Sequence, residues 1–370
     1  MEFSASREEI MRELSLVQGI VERKNTIPVL ANVLLEAAGN RVEMAATDLD
    51  VGVRCSFPAE VKQPGALTLS AKKVFEIVRA SAEPQVHFKE LENFWASIVC
   101  GNSYFKMVGL AQAEFPALPD PPPSPLCEFP GARLKEMIQQ TIFAITGEET
   151  RYYLNGALLE IDKGGFAMVA TDGHRLAYIA TRDPLAGVGA SSKAIIPRKT
   201  LSELLKMIGE SEGKVEFAVG DNHLFFRVGE RLLISKRVEN QFPAWEKVIP
   251  RDNDKVIGCA REQLAGAIRR VSLLANERSR AVRLAITPGK MEISSQNPEL
   301  GEARETIDIE YRGDNMQIGF NGQYLLDFVS AVGAEKISIE LKDDSSQGLL
   351  RKTEEASGQE YRYVVMPMRI

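Results

Sequence analysis

Apolar residues fall at Ile10, Leu14, Val17 and Val21 of SREEIMRELSLVQGIV, spaced 4, 3 and 4, which predicts one buried face of a helix. Ser6 precedes that run and Glu9 stands three residues on, a pairing that predicts a capping box. The same period runs through ARLKEMIQQTIFAI (132–145), RKTLSELLKMI (198–208) and REQLAGAIRRVSLLA (261–275), so helices are predicted there too. The segments between them change period. RVEMAATD (41–48), KVEFAVGDNHLFFRVGERLLISKRV (214–238) and KMEISSQN (290–297) alternate apolar with polar residues and break at Gly- or Asn-bearing turns, which predicts antiparallel strands.

The pattern repeats. LANVLLEAAGNRVEMAATDLD (30–50) aligns without a gap on LNGALLEIDKGGFAMVATDGH (154–174) at an offset of 124 residues. VRLAITPGKMEISSQNPEL (282–300) keeps the strand–Gly–strand outline and replaces Thr-Asp by Gln-Asn. A second set of segments accompanies these: LTLSAKKVFEIVRA (67–80), AIIPRKTLSELLKM (194–207) and, more loosely, IGFNGQYLLDFVSA (318–331). The first two copies close on AEFPALP (113–119) and NQFPAWEKVIP (240–250). The expectation is an α+β chain of three similar domains, each made of two helix-plus-antiparallel-strand halves. The proline-rich stretch PALPDPPPSP (116–125) and VIPRDNDK (248–255) place the boundaries, giving domains 1–124, 125–252 and 253–370. An open antiparallel sheet leaves edges that must be covered, and closure through a symmetric dimer covers them. Candidate edges are NSYFKMVGL (102–110) and the stretch around Glu305–Glu310.

Composition narrows the functional classes. The chain is 44% hydrophobic and 26% charged, with no apolar run long enough to span a bilayer and an acidic, amphipathic start unlike a signal peptide, so the cytoplasm is expected. Four scattered cysteines, at 55, 100, 127 and 259, suit buried thiols in a reducing compartment, and three widely spaced histidines offer no metal site. No cofactor is implied. The net charge of −6 disfavours nucleic acid at first sight, yet the charges are unevenly placed. Five of the six predicted helices carry Arg or Lys, from Arg7 and Arg12 through Lys72, Lys73, Arg79, Arg133, Lys135, Lys206, Arg261, Arg269 and Arg270, while acids gather in strands, turns and the last third. This predicts a shared cationic helical surface that would attract phosphates without reading sequence, as a sliding protein requires.

MVATDGHRLAY (168–178) carries the most chemistry, with Asp172, His174 and Arg175 within four residues. A catalytic reading lacks its other parts: the sequence holds no phosphate-binding GxxxxGK[ST] loop, no GxSxG elbow and no metal-spaced carboxylates. Thr-Asp also occurs in the first copy, as ATDLD, without His or Arg. Thr171-Asp172 therefore reads as a strand end capped by its own side chains, and the part peculiar to the second copy is Gly173-His174-Arg175-Leu176. No catalytic residue is expected.

RYYLNG (151–156), ATDGHRLA (170–177), IPRK (196–199), QFPAWEKVIP (241–250), GFN..Y (319–324) and YVVMPMRI (363–370) together resemble the bacterial sliding clamp family, the beta subunit of DNA polymerase III, over the whole chain. The resemblance implies a head-to-tail homodimeric ring with helices inside around duplex DNA and sheets outside. It also implies a non-catalytic processivity factor of DNA replication, opened by an ATP-driven clamp loader. A pocket between domains two and three would bind short linear peptides of the polymerase III alpha subunit, the loader, other polymerases and repair proteins. Carried over by position, the pocket comprises Leu154, Thr171, Gly173, His174, Arg175, Leu176, Pro243, Lys247, Val248, Asn321, Tyr324, Ser345, Val364, Val365, Met366, Pro367, Met368 and Arg369. Arg175 and His174 are expected at its rim, donating to peptide carbonyls. The resemblance likewise implies DNA contacts from Arg23, Lys24, Arg151, Tyr152, Tyr153, Arg198 and Lys199. Two positions depart from the family's usual residues: Lys247 replaces an Arg, and Ile370 a Leu.

Overall fold

A computed structural model of the chain describes residues 1–21, 27–147, 149–185, 188, 191–209, 213–354 and 358–369. It forms two compact units. One comprises Met1–Lys135 with Lys199–Arg237, the other Glu136–Arg198 with Val238–Ile370. The units cut across the thirds read from the repeat, because the middle third contributes to each.

The first unit holds helices α1 (Arg7–Ile20) and α2 (Ala71–Ala80), and most of α3 (Gly131–Gln139) and α4 (Arg198–Ile208). Its five-stranded sheet runs Glu60–Gln63, Glu2–Ser6, Gln85–Glu90, Trp95–Cys100, Ser103–Val108. Its eight-stranded sheet runs Cys127–Pro130, Lys214–Val219, His223–Val228, Arg231–Lys236, Val51–Pro58, Arg41–Thr47, Asn32–Ala38, Gly65–Ser70. The two middle members come from different copies of the repeat. Leu232 to Ser235 pair with Arg54 to Val51, a junction termed the first seam. The core of the unit includes Phe3, stacked on Phe88 at 4.8 Å, and Phe57.

The second unit repeats the plan. Helices α5 (Arg261–Val271) and α6 (Gly322–Ala331) accompany an eight-stranded sheet, Ser192–Pro197, Gly156–Asp162, Gly165–Thr171, Arg175–Thr181, Gln359–Val365, Gly348–Lys352, Lys336–Leu341, Lys255–Ala260. Its second seam pairs Arg175 to Thr181 with Val365 to Gln359. A four-stranded sheet runs Gly301–Asp308, Lys290–Asn297, Ala281–Thr287, Met316–Asn321. Every pairing between these strands is antiparallel, as the alternating patterns imply. The two candidate edges lie at sheet ends: Ser103–Val108 closes the five-stranded sheet and Gly301–Asp308 the four-stranded one.

Local expectations fared unevenly. Helix α1 buries Ile10, Leu14 and Val17 as the spacing predicts. The capping box does not form: Ser6 stands at the N-cap without a side-chain bond. Ser6 is also the last paired residue of its strand, and the first helical N–H, that of Arg7, donates to the Pro84 carbonyl at 2.9 Å. The third helix stops at Gln139 rather than reaching Ile145. Thr141 turns its hydroxyl back onto the Met137 carbonyl at 2.8 Å, and a single turn, Ile142–Ala144, comes next. The four cysteines are buried and unpaired, and burial pushes the Cys127 and Cys259 thiols up to about 12.

One buried charge ties α1 to the first seam. Glu13 is 2% exposed and accepts from Arg231 Nε and Nη2 at 2.8 and 2.6 Å and from Arg12 Nε at 2.9 Å. Burial opposes its ionised form, and the two guanidiniums outweigh that, holding the carboxyl below the usual range. Breaking such a pair leaves a buried charge unmatched, so Arg231→Met should lower stability by about 3 kcal/mol in urea unfolding. A carboxyl depressed in the folded state stabilises above its unfolded value, about 4.3, and loses that contribution as pH falls through the folded value. The unfolding midpoint should therefore drop below about pH 4.3, and drop less in Glu13→Gln.

Candidate functional site

The Thr-Asp-Gly-His-Arg segment of the second copy is a hairpin turn that the chain builds twice. Thr171 Oγ1 donates to the Arg175 carbonyl at 2.6 Å and accepts from Gly173 N at 3.1 Å, while Asp172 Oδ1 accepts from His174 N and Arg175 N at 2.9 and 3.0 Å. In the first copy Thr47 bonds Val51 O and Leu49 N at 3.1 and 2.9 Å, and Asp48 Oδ1 accepts from Asp50 N and Val51 N at 2.9 and 2.6 Å. The same four bonds at the same offset make Thr-Asp a device of the fold. Gly173 has φ +89°, and its counterpart Leu49 has φ +79°, a conformation that costs a side chain but not glycine.

Beyond the turn, strand alternation separates two faces. Leu176 and Val364 pair across the second seam and join Leu158, Val169, Ile195, Trp245, Ile249 and Leu349 in one apolar cluster, with Tyr178, Phe242 and Val248 packed on it. Thr171 pairs with Leu176. Tyr178 stacks on Trp245 at 4.7 Å, and burial pushes its hydroxyl up to about 12. Trp245 is 8% exposed and its indole N–H has no partner among the described residues. Pro243 and Lys247 are exposed on the connecting segment around this cluster, and Leu154 is buried at the end of the turn Glu149–Leu154.

Arg175 faces the other way, which corrects its expected place at a rim. Its Nε donates to Asp172 Oδ2 at 3.0 Å, Nη1 to Asp327 and Nη2 to the Phe143 carbonyl. The guanidinium lies over the rings of Tyr324 and Phe143, at 4.3 and 5.5 Å from their centroids. Only 10% of the side chain is exposed, so its donors are committed within the chain. Neighbours on a strand point to opposite faces, and Arg175 and Leu176 divide accordingly. Val365, opposite Arg175, is buried, and Tyr363 donates to the Tyr324 carbonyl at 3.0 Å. Asn321 is the N-cap of α6, accepting from Gln323 N at 2.9 Å.

The end of the chain runs from the cluster into a groove. His174 is exposed and its carbonyl accepts from Met366 N at 2.9 Å; Met368 N donates to Gly319 O at 2.8 Å. Pro367, Met368 and Arg369 line a groove of about 590 Å³ with Ser345, Arg283 and Gln317. Ser345 is fixed there by Asp343, whose Oδ1 accepts from its N and Oγ at 3.0 Å each. These bonds and those of Ser346 bring the Asp343 carboxyl down to about 2.

The residues expected at DNA are more dispersed. Arg23 and Lys24, with Ile370 at the tail, lie outside the described residues, as does the side chain of Tyr152. Tyr153 is half-buried, and Arg151 Nη1 donates to the Asp172 carbonyl at 3.3 Å, beneath the turn. Arg198 donates to the Ile145 carbonyl at 3.5 Å. Lys199 has a structural partner: its ammonium binds the buried carboxylate of Asp48 and the carbonyl of Ile20, the last residue of α1, where a positive charge meets the negative end of the helix dipole. Several of the helix cations are matched by nearby acids. Lys72 and Lys73 meet Glu76, Lys206 meets Glu203, Arg261 meets Glu262 and Arg270 meets Glu305.

Tyr178, Trp245 and Asp327 were missed by sequence reasoning. Tyr178 shares the period-two face of Leu176, and Asp327 is the one charged residue of its helix, so both carried a signal.

Family profiles for the DNA polymerase III beta subunit match nearly the whole chain: the N-terminal domain over residues 1–119, the central domain over 128–244 and the C-terminal domain over 246–369. The chain is 36% identical to a beta sliding clamp of Pseudomonas putida and 34% to that of Escherichia coli K12, with all of each chain covered. Among solved structures it is similar to the DNA polymerase III subunit beta of Pseudomonas aeruginosa, with a TM-score of 0.92 at 35% identity. It is also similar to a sliding clamp of Bartonella birtlesii bound to griselimycin, with a TM-score of 0.93 at 34% identity. Both superpositions cover the whole of both chains.

The duplicated turn offers a reciprocal test. Leu49 is 52% exposed, so Leu49→Gly gives up little burial and relieves the left-handed strain; it should raise stability by roughly 0.5–1 kcal/mol in thermal unfolding. Gly173→Leu should lower it by about 1 kcal/mol or more.

Proposed function

The chain belongs to the DNA polymerase III beta-subunit family, the beta sliding clamps, which are non-catalytic processivity factors of DNA replication, and from that premise we propose how its residues serve the role. Its three family domains are taken as 1–124, 125–252 and 253–370. Two copies, joined head to tail, form a ring around duplex DNA in the cytoplasm. Each copy holds the polymerase III alpha subunit, the clamp loader or other polymerases and repair proteins by short linear peptides.

The peptide site is the apolar cluster at the second seam together with the tail groove. The observation that carries this reading is the course of the last residues. Val364 belongs to the cluster, Met366 is held by the His174 carbonyl, and Met368 and Arg369 line the groove, so one short segment borders both. Thr171, Leu176, Val248 and Val364 form the floor, with Leu154 behind it. Pro243 and Lys247 stand beside it, Gly173, His174 and Met366 offer exposed backbone and side chain, and Ser345, Pro367, Met368 and Arg369 extend it. Arg175, Asn321, Tyr324 and Val365 hold these walls from behind. Met and Pro give an adaptable apolar surface suited to several related peptides. A Caulobacter crescentus beta sliding clamp has been solved with polyethylene glycol at a proposed beta-motif tethering region, which fits a surface of this kind.

The ring reading rests on edges. In both seams the third strand after the helix of one half-repeat pairs with the third strand after the helix of another. Ser103–Val108 and Gly301–Asp308 are the remaining strands of that kind, each at the end of its sheet. Exposed apolar side chains accompany both: Trp95, Tyr104 and Val108 near the first, Leu273 and Leu300 near the second. Pairing them between copies would complete the pattern and cover the edges. DNA would be met by Arg23, Lys24, Arg151, Tyr152 and Tyr153, with Arg198 as support, through phosphate contacts without sequence preference.

Deleting Met366–Ile370 should reduce affinity for a polymerase-derived peptide at least ten-fold while light scattering still reports the dimer; unchanged affinity sinks the site. Leu273→Asp should turn that dimer into a monomer. Unaltered protein loaded on nicked circular DNA should stay until the circle is cut, whereas equal loss from circle and linear DNA contradicts a ring.

A further inference from the structure

The first seam is covered by a segment of the chain itself. On one face of the eight-stranded sheet, Ala218, Phe225, Leu232 and Ile234 form an apolar cluster, and the side chain packed on it is Leu118, from the proline-rich connector. Arg54 holds that connector at two points: Nη1 donates to Asp120 Oδ1 at 2.5 Å and Nη2 to the Leu118 carbonyl. Gly52, two residues before Arg54 on the same strand, leaves the notch that Leu118 fills, since a Cβ there would stand 2.9 Å from Leu118 Cδ2. Proline at 116 and 119 removes backbone donors and keeps the segment extended. A cavity of about 640 Å³ continues alongside, between Phe115–Leu118 and the strand residues Leu34, Ala45 and Arg54.

The two seams are copies that diverged at these contacts. At the repeat's offset of 124 residues, Gly52 corresponds to Leu176 and Arg54 to Tyr178. Where the first seam has a notch and a guanidinium clamp, the second has a filled floor and a stacked Tyr178–Trp245 pair. We propose that the first seam is a second peptide-docking groove, kept closed in cis by Phe115–Asp120, whose ligand is an extended peptide with an apolar residue two positions before an acid. The Arg54–Asp120 pair is largely exposed, with 82% of the Asp120 side chain accessible, so the strap is held weakly enough to exchange. The groove would then admit a partner carrying the same pattern when the strap lifts, independently of the site at the second seam.

The probe is a fluorescein-labelled peptide of residues 113–122, AEFPALPDPP, titrated by anisotropy against the full-length protein. Loosening the strap with Leu118→Ser and Asp120→Ala should strengthen binding at least ten-fold over the unaltered chain. Adding Arg54→Ala, or replacing the leucine in the peptide by serine, should abolish that gain. Asp120→Ala alone alters an exposed side chain and guards against misfolding of the double variant; it should speed proteolysis within 115–125 several-fold. Equal peptide affinity with and without the strap substitutions, or proteolysis unchanged in Asp120→Ala, overturns the proposal. Deleting Met366–Ile370 separates the two sites: strap-peptide binding should persist, and its loss would assign the peptide to the second seam and refute a groove at the first.

Discussion

Pairing between the third strands of different half-repeats is the constraint on which the rest depends. The third strand after each helix has an outer edge that offers unpaired N–H and C=O groups, and these must find partners. Two such junctions are met inside the chain, at Leu232–Arg54 and at Leu176–Val364. Each turns two small sheets into one of eight strands and sets residues from distant parts of the sequence side by side. Both places where the chain holds a peptide-like segment, or is proposed to, lie on such a junction. There two half-repeats create a surface that neither has alone.

The Thr-Asp turn shows how a repeated scaffold acquires a local task. Its four hydrogen bonds are the same in both copies, so they carry no functional information. The copies diverge in the next three residues, Leu49, Asp50 and Val51 in one and Gly173, His174 and Arg175 in the other. Arg175 became a buried hub joining Asp172, Asp327 and two aromatic rings, which fixes the turn against α6. The glycine and histidine were left exposed. Chemistry that looked catalytic in the linear sequence is thus shared between holding the fold and presenting backbone.

The sequence made the elements and the repeat legible because hydrophobic period and turn residues are local signals, and Ile10, Leu14 and Val17 behaved accordingly. It misjudged features decided by distant partners. Lys199 reads as a free cation until Asp48, 151 residues away, is found beside it. Ser6 ends a strand paired with Gln85, far along the chain, and its hydroxyl makes no cap. Arg175 was expected at a rim because its neighbours in sequence are there, whereas strand alternation sends it to the opposite face. Trp245 does not stand out within QFPAWEKVIP, since nothing local reveals that Tyr178 stacks on it.

The seams also set the order in which this chain can be completed during synthesis. The strand Val51–Pro58 waits for Arg231–Lys236, and Arg175–Thr181 waits for Gln359–Val365, partners that lie close to 180 residues later. The first compact unit therefore cannot close until residue 237 has emerged, and Glu136–Arg198 must stay unfinished until the very end of the chain. Such long-range pairing is slow and leaves apolar strands uncovered meanwhile. Strands that wait so long for their partners keep their edges open through much of synthesis, even though the finished molecule is built from short and regular pieces.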